Sequence, residues 1–470
     1  MRKRKKYGQW GINSKKAIAL VGVLLFLVAG ISLETWAQGF YNAEVDRTSY
    51  EASMEKDWKK VIEIGEGAQE KGIDFFYLRL RKGIAYDNLE KFNRSDLEYK
   101  KANAFFPVDT LTYWYRYVAL MNSGREAEAR VLSPKLTSWQ RKYSGYKSVR
   151  LNNFGVETGV LLGKAPTTII NNVTQVFLIQ RQQGNLFFAS GNGNVWLGKR
   201  LNFSLGYMFM NVGNTVNFAY RPKPSGNSGP PRPEASSWEF TTNQNAVYLG
   251  LGYQFAKGWS VFAAANFIPY EGGSIEITRM NSNGNFSYNT DKYSFSGLDY
   301  TIFAQIKKRW SSISLEPSYS MNMVSNQVYH QMNFAGTYYP LGNNRLYLTG
   351  QVSLLNHDST NVIVGLKVGG RLAKWIWTEG NFAIGKMYGS SDAGGWILNN
   401  NPDQMAWKVG LNLSFILKNR IEVPLRFGFL GREGVATKEE NSPSGDSPQA
   451  LNEPYTYRHI LINTGIKIYF

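Results

Sequence analysis

The second half of the chain alternates apolar and polar residues with a period of two. Between residues 405 and 417 the odd positions carry Met, Trp, Val, Leu and Phe, whereas the even positions are mostly small or polar. Since successive side chains of a strand point to opposite faces, this segment has one continuously apolar face. The same pattern recurs at 201–211, 246–256, 259–267, 313–321, 346–354, 362–371 and 421–429. Amphipathic strands of about ten residues are typical of a β-barrel that crosses a membrane.

The segments between these strands alternate in length. Short turns are predicted at 199–201, 256–259, 308–311, 340–345, 371–374 and 418–420. Longer polar loops are predicted at 213–242, 271–293, 387–403 and 431–455. Short turns at one end and long loops at the other are typical of membrane barrels. Trp259, Trp310 and Trp375 lie close to short turns, where interfacial aromatic residues are expected.

We therefore predict an antiparallel transmembrane β-barrel over residues 148–470. Fourteen strands fit the pattern, with starts near 153, 187, 201, 243, 259, 294, 311, 327, 344, 361, 374, 404, 420 and 456. The segment 164–186 could hold a long loop, a strand extension or an extra hairpin. Twelve or sixteen strands therefore remain possible.

The last strand, from Tyr457, ends on Phe470 at the C-terminus. One of its faces consists mainly of isoleucines, which a soluble protein would present as an adhesive edge. Such an ending resembles the signal read by the machinery that inserts outer-membrane barrels. The resemblance implies that Phe470 is an assembly signal, that the barrel-assembly machinery is a partner, and that outer-membrane lipid surrounds the barrel.

The N-terminal segment 1–37 has the three parts of a secretory signal. Seven basic residues precede an apolar core at 17–31, and Thr35-Trp36-Ala37 offers small residues where a signal peptidase cuts. An uncleaved anchor is the alternative, but fifteen apolar residues are short for a spanning helix. We expect a mature chain that begins at Gln38 and works beyond the inner membrane.

Charge and cysteine content exclude several classes of protein. The net charge is +18, but the first 37 residues contribute seven basic residues and one acid, which leaves +12 for the remainder. These cations are scattered, so no nucleic-acid partner is expected. The chain has no cysteine, no HExxH pair and no phosphate-binding glycine loop with its lysine. We therefore expect neither a metal nor another cofactor.

The domain at 38–147 is predicted to be helical, and its residues 42–145 repeat with a period of 34. The central copy, 76–109, resembles a tetratricopeptide repeat in its small–aromatic–small–proline spacing. The residues that carry this resemblance are Gly83, Tyr86, Phe92, Tyr99, Ala102 and Pro107. The flanking copies are weaker, because Ser49 and Tyr117 occupy the position of the glycine. The resemblance implies about three stacked helix pairs that bind a peptide or helix of an unidentified periplasmic protein.

The order of parts resembles two groups of proteins. One group is the repeat-plus-barrel exopolysaccharide exporters, which usually carry many more repeats. The other is the outer-membrane barrels with short repeat domains found in Bacteroidetes-type bacteria. The resemblance implies a multidomain protein with its barrel in the outer membrane of a Gram-negative cell and its N-terminal domain in the periplasm.

Charged residues at inward-facing positions suggest a hydrated lumen. The candidate pore-lining residues are Lys307, Glu316, Lys367, Arg371, Glu379, Lys408, Glu422, Arg426 and Lys467. They favour a pore or export channel for polysaccharide or small solutes with a mild preference for anions. A non-conducting scaffold is the alternative, and a plug formed by 164–186 or by an infolded loop would favour it.

A lipid-modifying barrel enzyme is the third hypothesis. It would need a serine–histidine pair at the membrane rim. The three histidines, His330, His357 and His459, have no partner that the sequence identifies. We therefore predict no catalytic residue and no enzymatic activity.

Overall fold

The computed structural model describes residues 42–163, 177–220, 234–256, 258–282, 285–418, 420–440 and 449–470. The predicted signal segment 1–37 and residues 164–176 lie outside this part of the chain. Two compact units divide the chain between Ala119 and Leu120. The first unit is helical, and the second contains all of the strands.

The helices occupy the described chain before residue 144. They are α1 (42–54), α2 (Trp58–Glu70), α3 (Phe76–Asn88), α4 (Phe92–Phe105), α5 (Thr110–Asn122), α6 (Glu126–Leu132) and α7 (Ser138–Tyr143). Helix α5 begins in the first unit and ends in the second. None of the described helices is both long enough and apolar enough to cross a membrane.

Helices α3 and α4 pack closely because a glycine lies opposite an aromatic ring. A Cβ atom on Gly83 would lie 2.4 Å from the ring of Tyr99. Tyr86, Tyr99 and Ala102 are buried, whereas Phe92 is half-buried. Pro107 is exposed and follows the end of α4. The six residues with the repeat spacing thus lie on, or just beyond, one helical hairpin.

Fourteen antiparallel strands close into a barrel, as the alternation predicted. They are β1 (Val149–Leu162), β2 (Phe177–Leu197), β3 (Leu201–Tyr220), β4 (Glu234–Gln254), β5 (Trp259–Ser282), β6 (Asn285–Arg309), β7 (Ile313–Val324), β8 (Gln327–Tyr338), β9 (Leu346–Asn356), β10 (Thr360–Ala373), β11 (Ile376–Ile384), β14 (Gln404–Leu417), β15 (Ile421–Glu440) and β16 (Gln449–Tyr469). Neighbours in sequence pair, and β1 pairs with β16 to close the barrel. The two short strands β12 (Ser391–Asp392) and β13 (Ile397–Leu398) form a separate hairpin.

The barrel wall is high on one side and low on the other. Strands β15, β16 and β2 to β6 have 20 to 25 residues, whereas β7 to β11 and β14 have 9 to 14. The prediction of long loops at 213–242, 271–293 and 431–455 was therefore largely wrong. Most of their described residues continue the strands, because the partner strand of each hairpin satisfies the backbone even where neither face is apolar.

The outer surface of the barrel carries many exposed apolar side chains. Leu249, Val352 and Leu366 are each more than 40% exposed on three different strands. Trp259, Trp310 and Trp375 are exposed beside short turns, and the Lys308 ammonium lies 4.9 Å from the ring of Trp259. Such a surface is unfavourable in water and matches the hydrocarbon of a bilayer.

Candidate functional site

The segment 385–403, between β11 and β14, folds into the barrel lumen. It contains the β12–β13 hairpin, and we refer to it as the lumen loop. Gly385, Gly389, Gly394 and Gly395 have φ angles of 135°, 77°, 71° and 86°, which residues with a Cβ atom rarely adopt. These glycines allow the chain to reverse direction within the confined lumen. The sequence had predicted an ordinary polar loop here and left an infolded loop as an alternative.

Polar side chains of the wall hold the lumen loop through its backbone. Asn322 Nδ2 donates to the Gly389 carbonyl at 2.9 Å, and Asn266 Nδ2 donates to the Trp396 carbonyl at 2.8 Å. The backbone N–H of Ser391 donates to Gln331 Oε1 at 2.7 Å. These hydrogen bonds fix the position of the loop backbone relative to β5, β7 and β8.

Apolar side chains hold the same loop at its two ends. Met387 and Leu398 are buried in a cluster with residues of the wall. The wall members include Met208, Ala246, Ile268 and Leu355. Trp396 packs against this cluster and meets the ring of Tyr248 edge-on at 5.2 Å. The loop is thus a packed element of the lumen.

Two cavities lie beside the lumen loop. The larger, of about 1390 Å³, reaches towards the short turns. The smaller, of about 570 Å³, reaches towards the long hairpins. Both are lined by Asp392 of the loop and by Asn381, Lys408 and Arg426 of β11, β14 and β15. The Lys408 ammonium contacts the Asp392 carboxylate, so an ion pair between loop and wall lies where the two cavities adjoin.

Eight of the nine predicted pore-lining residues lie on the wall of the larger cavity. They are Lys307, Glu316, Lys367, Glu379, Lys408, Glu422, Arg426 and Lys467. Arg371 lines neither cavity and lies at the β10–β11 turn, where its guanidinium donates to the carbonyls of Ala373 and Lys374 at 3.2 and 2.6 Å. Arg371 is paired with Trp377, which lines the larger cavity, so it keeps the inward-facing side of β10 and lies outside the cavity because it is at the end of the strand, beside the turn.

The sequence did not identify two carboxylates of the lumen. Glu157 of β1 contacts the Arg426 guanidinium, and Asp392 of the lumen loop contacts Lys408. Glu157 pairs with Arg426 only because β1 and β15 both neighbour β16 in the closed barrel. The alternation around Glu157 marked it as a strand residue, but no local signal placed Asp392 inside the barrel.

The long hairpins restrict the outer end of the smaller cavity. Strand β15 pairs directly with β2 over Ala436–Glu439, beyond the end of β1. Below this pairing, the Tyr457 hydroxyl contacts the carboxylate of Asp403, and Arg432 donates to the Asp403 carbonyl at 2.8 Å. The last residue of the lumen loop is thus bonded to β15 and β16.

The three histidines contact groups other than serine hydroxyls. His330 Nδ1 is 2.7 Å from the Tyr319 hydroxyl, and His357 Nδ1 is 3.0 Å from the Val328 carbonyl. His459 is fully buried between Arg432 and the Gly184 carbonyl. These contacts are structural in character, and none of them is the pair that a serine hydrolase requires.

The helical unit has a different electrostatic centre. Arg79 of α3 donates to Asp74 at 2.6 Å and to Glu98 of α4 at 2.7 Å. Lys82 is also buried, donates to Gln69 at 3.0 Å and lies 3.9 Å from Glu98. Burial lowers the pKa of Lys82, and Glu98 opposes that shift. Burial raises the pKa of Asp87 to about 6, and its Oδ1 atom is buried without a hydrogen-bond partner among the described residues.

Fold and lumen together define a closed fourteen-stranded barrel with an internal loop. No protein-family model matches the sequence, and no curated protein matches it. Among solved structures, the chain is similar to a FadL homologue of Pseudomonas aeruginosa at 8% identity. That match covers 68% of this chain and 90% of the homologue, with a TM-score of 0.43. It is also similar to the TodX deltaS2S3 mutant monoaromatic hydrocarbon channel at 9% identity, 70% and 92% coverage and a TM-score of 0.40. The KdgM porin is similar at 10% identity. That match covers 49% of this chain and 96% of the porin, with a TM-score of 0.27. Similarity of this degree carries no functional argument.

Proposed function

We propose that the chain is a solute channel of the outer membrane of a Gram-negative cell. The observation that carries the proposal is a closed barrel that is apolar outside and holds inside it a large cavity lined by charged, amide and hydroxyl side chains. A protein that only anchored a complex would need the outer surface but not the cavities. Export through the predicted signal 1–37 is part of the proposal, and N-terminal sequencing of the mature protein should find Gln38 first.

The short-turn end of the barrel is the periplasmic end in this proposal. Strand β1 begins there and β16 ends there, and the turns at that end have two to seven residues. The long hairpins β3–β4, β5–β6 and β15–β16 then face outward, as external loops of such barrels do. The helical unit precedes β1, so its place is the periplasm.

The lumen loop is the constriction of the proposed channel. It lies beside both cavities and is held by hydrogen bonds to the wall. A chain without cysteine allows a clean test. The hydroxyl oxygens of Ser320 and Ser391 are 2.9 Å apart, so a Ser320→Cys/Ser391→Cys variant can join the loop to β7 by a disulfide.

Conductance of the full mature chain in planar bilayers tests the channel. We expect ion-conducting steps from the wild type, their loss in the oxidised variant and their return on reduction. A matched control is Ser318→Cys/Asn333→Cys, which joins the adjacent wall strands β7 and β8 and should conduct equally in both redox states. Conductance that survives the loop disulfide would show that the loop is not the constriction.

A non-conducting scaffold is the second candidate. The packed lumen loop and the β15–β2 pairing favour it, because both reduce the open cross-section. Silence of folded, inserted wild-type protein in the same bilayers would establish this alternative in place of the channel.

We infer that the helical unit is tetratricopeptide-like and docks a periplasmic protein. The close approach of α3 and α4 at Gly83 and the burial of Tyr86, Tyr99 and Ala102 support the repeat assignment. A variant that lacks residues 42–109 keeps α5, whose end belongs to the barrel unit. We expect this variant to conduct as the wild type does and to lose a periplasmic protein that co-purifies with the full chain. Co-purification unchanged by the deletion would refute docking.

A further inference from the structure

Eight of the eleven charged side chains that line the larger cavity form four ion pairs. Lys307 Nζ lies 2.7 Å from Glu316, and Lys367 Nζ lies 3.5 Å from Glu379. The other two pairs are Lys408 with Asp392 and Arg426 with Glu157. The pairs are distributed around the lumen, on β6–β7, β10–β11, β14 with the lumen loop, and β15 with β1.

The balance of charge is nearly neutral. The described residues that line this cavity include six cationic side chains and five carboxylates. Three charged residues lie outside the four pairs. Lys467 lies over the ring of Tyr469, Glu422 accepts from the hydroxyls of Ser414 and Tyr469 at 2.6 Å, and Arg309 donates to Asn344 at 2.8 Å. The pairs alternate in sign over short distances, so they create no extended field that would concentrate ions of one sign. This balance removes the reason to expect a preference for anions.

Uncharged hydrogen-bonding groups cover much of the remaining wall. Sixteen lining side chains are Asn, Gln, Ser or Thr. On β7 and β8, Gln331 donates to Asn333 at 2.7 Å, and Asn333 donates to Ser318 at 3.1 Å. Amides and hydroxyls are both donors and acceptors, as are the hydroxyl groups of a sugar. Such a wall can exchange hydrogen bonds with a polyhydroxylated solute at many points.

Two indole rings complete the lining. Trp377 of β11 and Trp396 of the lumen loop both border the larger cavity and are both partly exposed. The face of an indole is electron-rich and attracts the polarised C–H groups of a sugar ring. The cavity volume of about 1390 Å³ exceeds the roughly 300–1,000 Å³ of sites that enclose drug-sized ligands. It therefore has room for a solute with part of its hydration shell.

We propose that the larger cavity is a passage for uncharged sugars and that its ion pairs exclude a preference for either ionic sign. The proposal rests on the channel function proposed above. Glu379 and Lys367 are then specificity-determining residues, because loss of either leaves one charge uncompensated in the lumen. One unit charge at 4 Å contributes about 1 kcal/mol in water, with opposite sign for anions and cations. It therefore changes the passage of each ion about fivefold and the ratio of anion to cation passage about 30-fold.

Three solutes of matched size and different charge test the proposal. Proteoliposomes with the full mature chain are loaded with glucose, gluconate or protonated glucosamine, and efflux is measured. Glucose should leave fastest, and the two ions should leave at similar rates. Glu379→Gln should raise the gluconate-to-glucosamine ratio about 30-fold, and Lys367→Gln should lower it by a similar factor. The double variant should restore the wild-type ratio.

The control is Glu51→Gln, which removes an exposed partner of Arg47 on helix α1 and should leave all three rates unchanged. Wild-type efflux of gluconate or glucosamine faster than that of glucose would overturn the sugar assignment and leave the channel intact. Ratios unaffected by the single substitutions would overturn the role of the pair. Absence of both efflux and bilayer conductance would overturn the channel itself and this inference with it.

Discussion

The same kind of ion pair occupies two different environments in this molecule. In the helical unit, Arg79 and Glu98 are 2.7 Å apart, and their side chains are 9% and 8% exposed. In the barrel lumen, Lys367 and Glu379 are 3.5 Å apart, and their side chains are 47% and 19% exposed. The first pair is buried, whereas the second is partly exposed to water.

Because of this difference, the buried pair matters mainly for stability, whereas the hydrated pair can be altered with little effect on folding. Removing one partner of a buried pair leaves a charge that water cannot solvate, which typically costs about 3–5 kcal/mol. Removing one partner of a hydrated pair leaves a charge that water solvates readily, so folding changes little. Charged residues of the lumen can therefore be substituted with little loss of stability, whereas those in the core of the helical unit cannot.

The largest expected effect is that of Glu98→Gln. It leaves Arg79 with Asp74 alone and leaves the buried Lys82 without its neighbouring carboxylate. We expect the helical unit to lose about 3 kcal/mol of unfolding free energy. Urea unfolding of the full chain, followed by circular dichroism at 222 nm, measures this loss. A loss as small as that of the exposed-pair variant Glu51→Gln would contradict the comparison.

Gly83→Ala should have the next largest effect. Its Cβ would lie 2.4 Å from the Tyr99 ring, and such overpacking typically costs about 1–3 kcal/mol. The matched control is Gly67→Ala on α2, where no atom lies within 4 Å of the added Cβ. That variant should gain about 0.5–1 kcal/mol, because alanine loses less entropy than glycine in a helix. Equal effects of the two substitutions in the same urea titration would refute close packing at Gly83.

Asp87→Asn should produce a smaller effect that depends on pH. Burial raises the pKa of the folded Asp87 to about 6, above its unfolded value of 3.8. Deprotonation therefore disfavours the folded form, and wild-type stability falls as the pH rises from about 4 through 6. Since Asp87 is only partly buried, we expect the variant to be more stable by roughly 1–2 kcal/mol at pH 8. The advantage should vanish at pH 4, and urea titrations at the two pH values test it. A pH-independent difference would exclude this carboxyl as the cause.

The smallest effect on folding should come from Glu316→Gln in the lumen. Its partner Lys307 is about one-third exposed, so the unfolding free energy should change by less than about 1 kcal/mol. Reversal potentials in a salt gradient should nevertheless shift towards anions. The temperature at which the compact barrel form is lost on electrophoresis reports the change in stability of the variant. A large loss of stability with no shift in reversal potential would invert the comparison.

The regular parts of the molecule were predictable because their signals are local. The starts of β3 at Leu201, β5 at Trp259, β8 at Gln327 and β14 at Gln404 coincide with the predicted residues. Alternation decides which face of a strand is apolar, so it also placed most of the charged lumen residues. Arg371 was the exception, since alternation predicts the face of a strand but not how far along the strand the cavity extends.

The position of the lumen loop was not predictable because its partners are distant in sequence. Gln331 meets the backbone of Ser391 sixty positions away, and Asn266 meets that of Trp396 across 130 positions. Nothing in the polar composition of 385–403 distinguishes a loop inside the barrel from one outside. The charge balance of the lumen was missed for the same reason, because Asp392 enters it only with the loop.

The pairing of β1 with β16 also makes closure of the barrel depend on two strands that are far apart in sequence. Asn153 lies opposite Tyr469, so the first and the last strand of the described chain must meet to close the barrel. Contacts between the two ends of a chain carry a large loop-closure cost and form slowly. Until they form, both terminal strands present unpaired edges that can join other chains. We therefore expect closure to be slow compared with the formation of the hairpins, and a variant that lacks β16 to aggregate rather than to form a slightly weaker barrel.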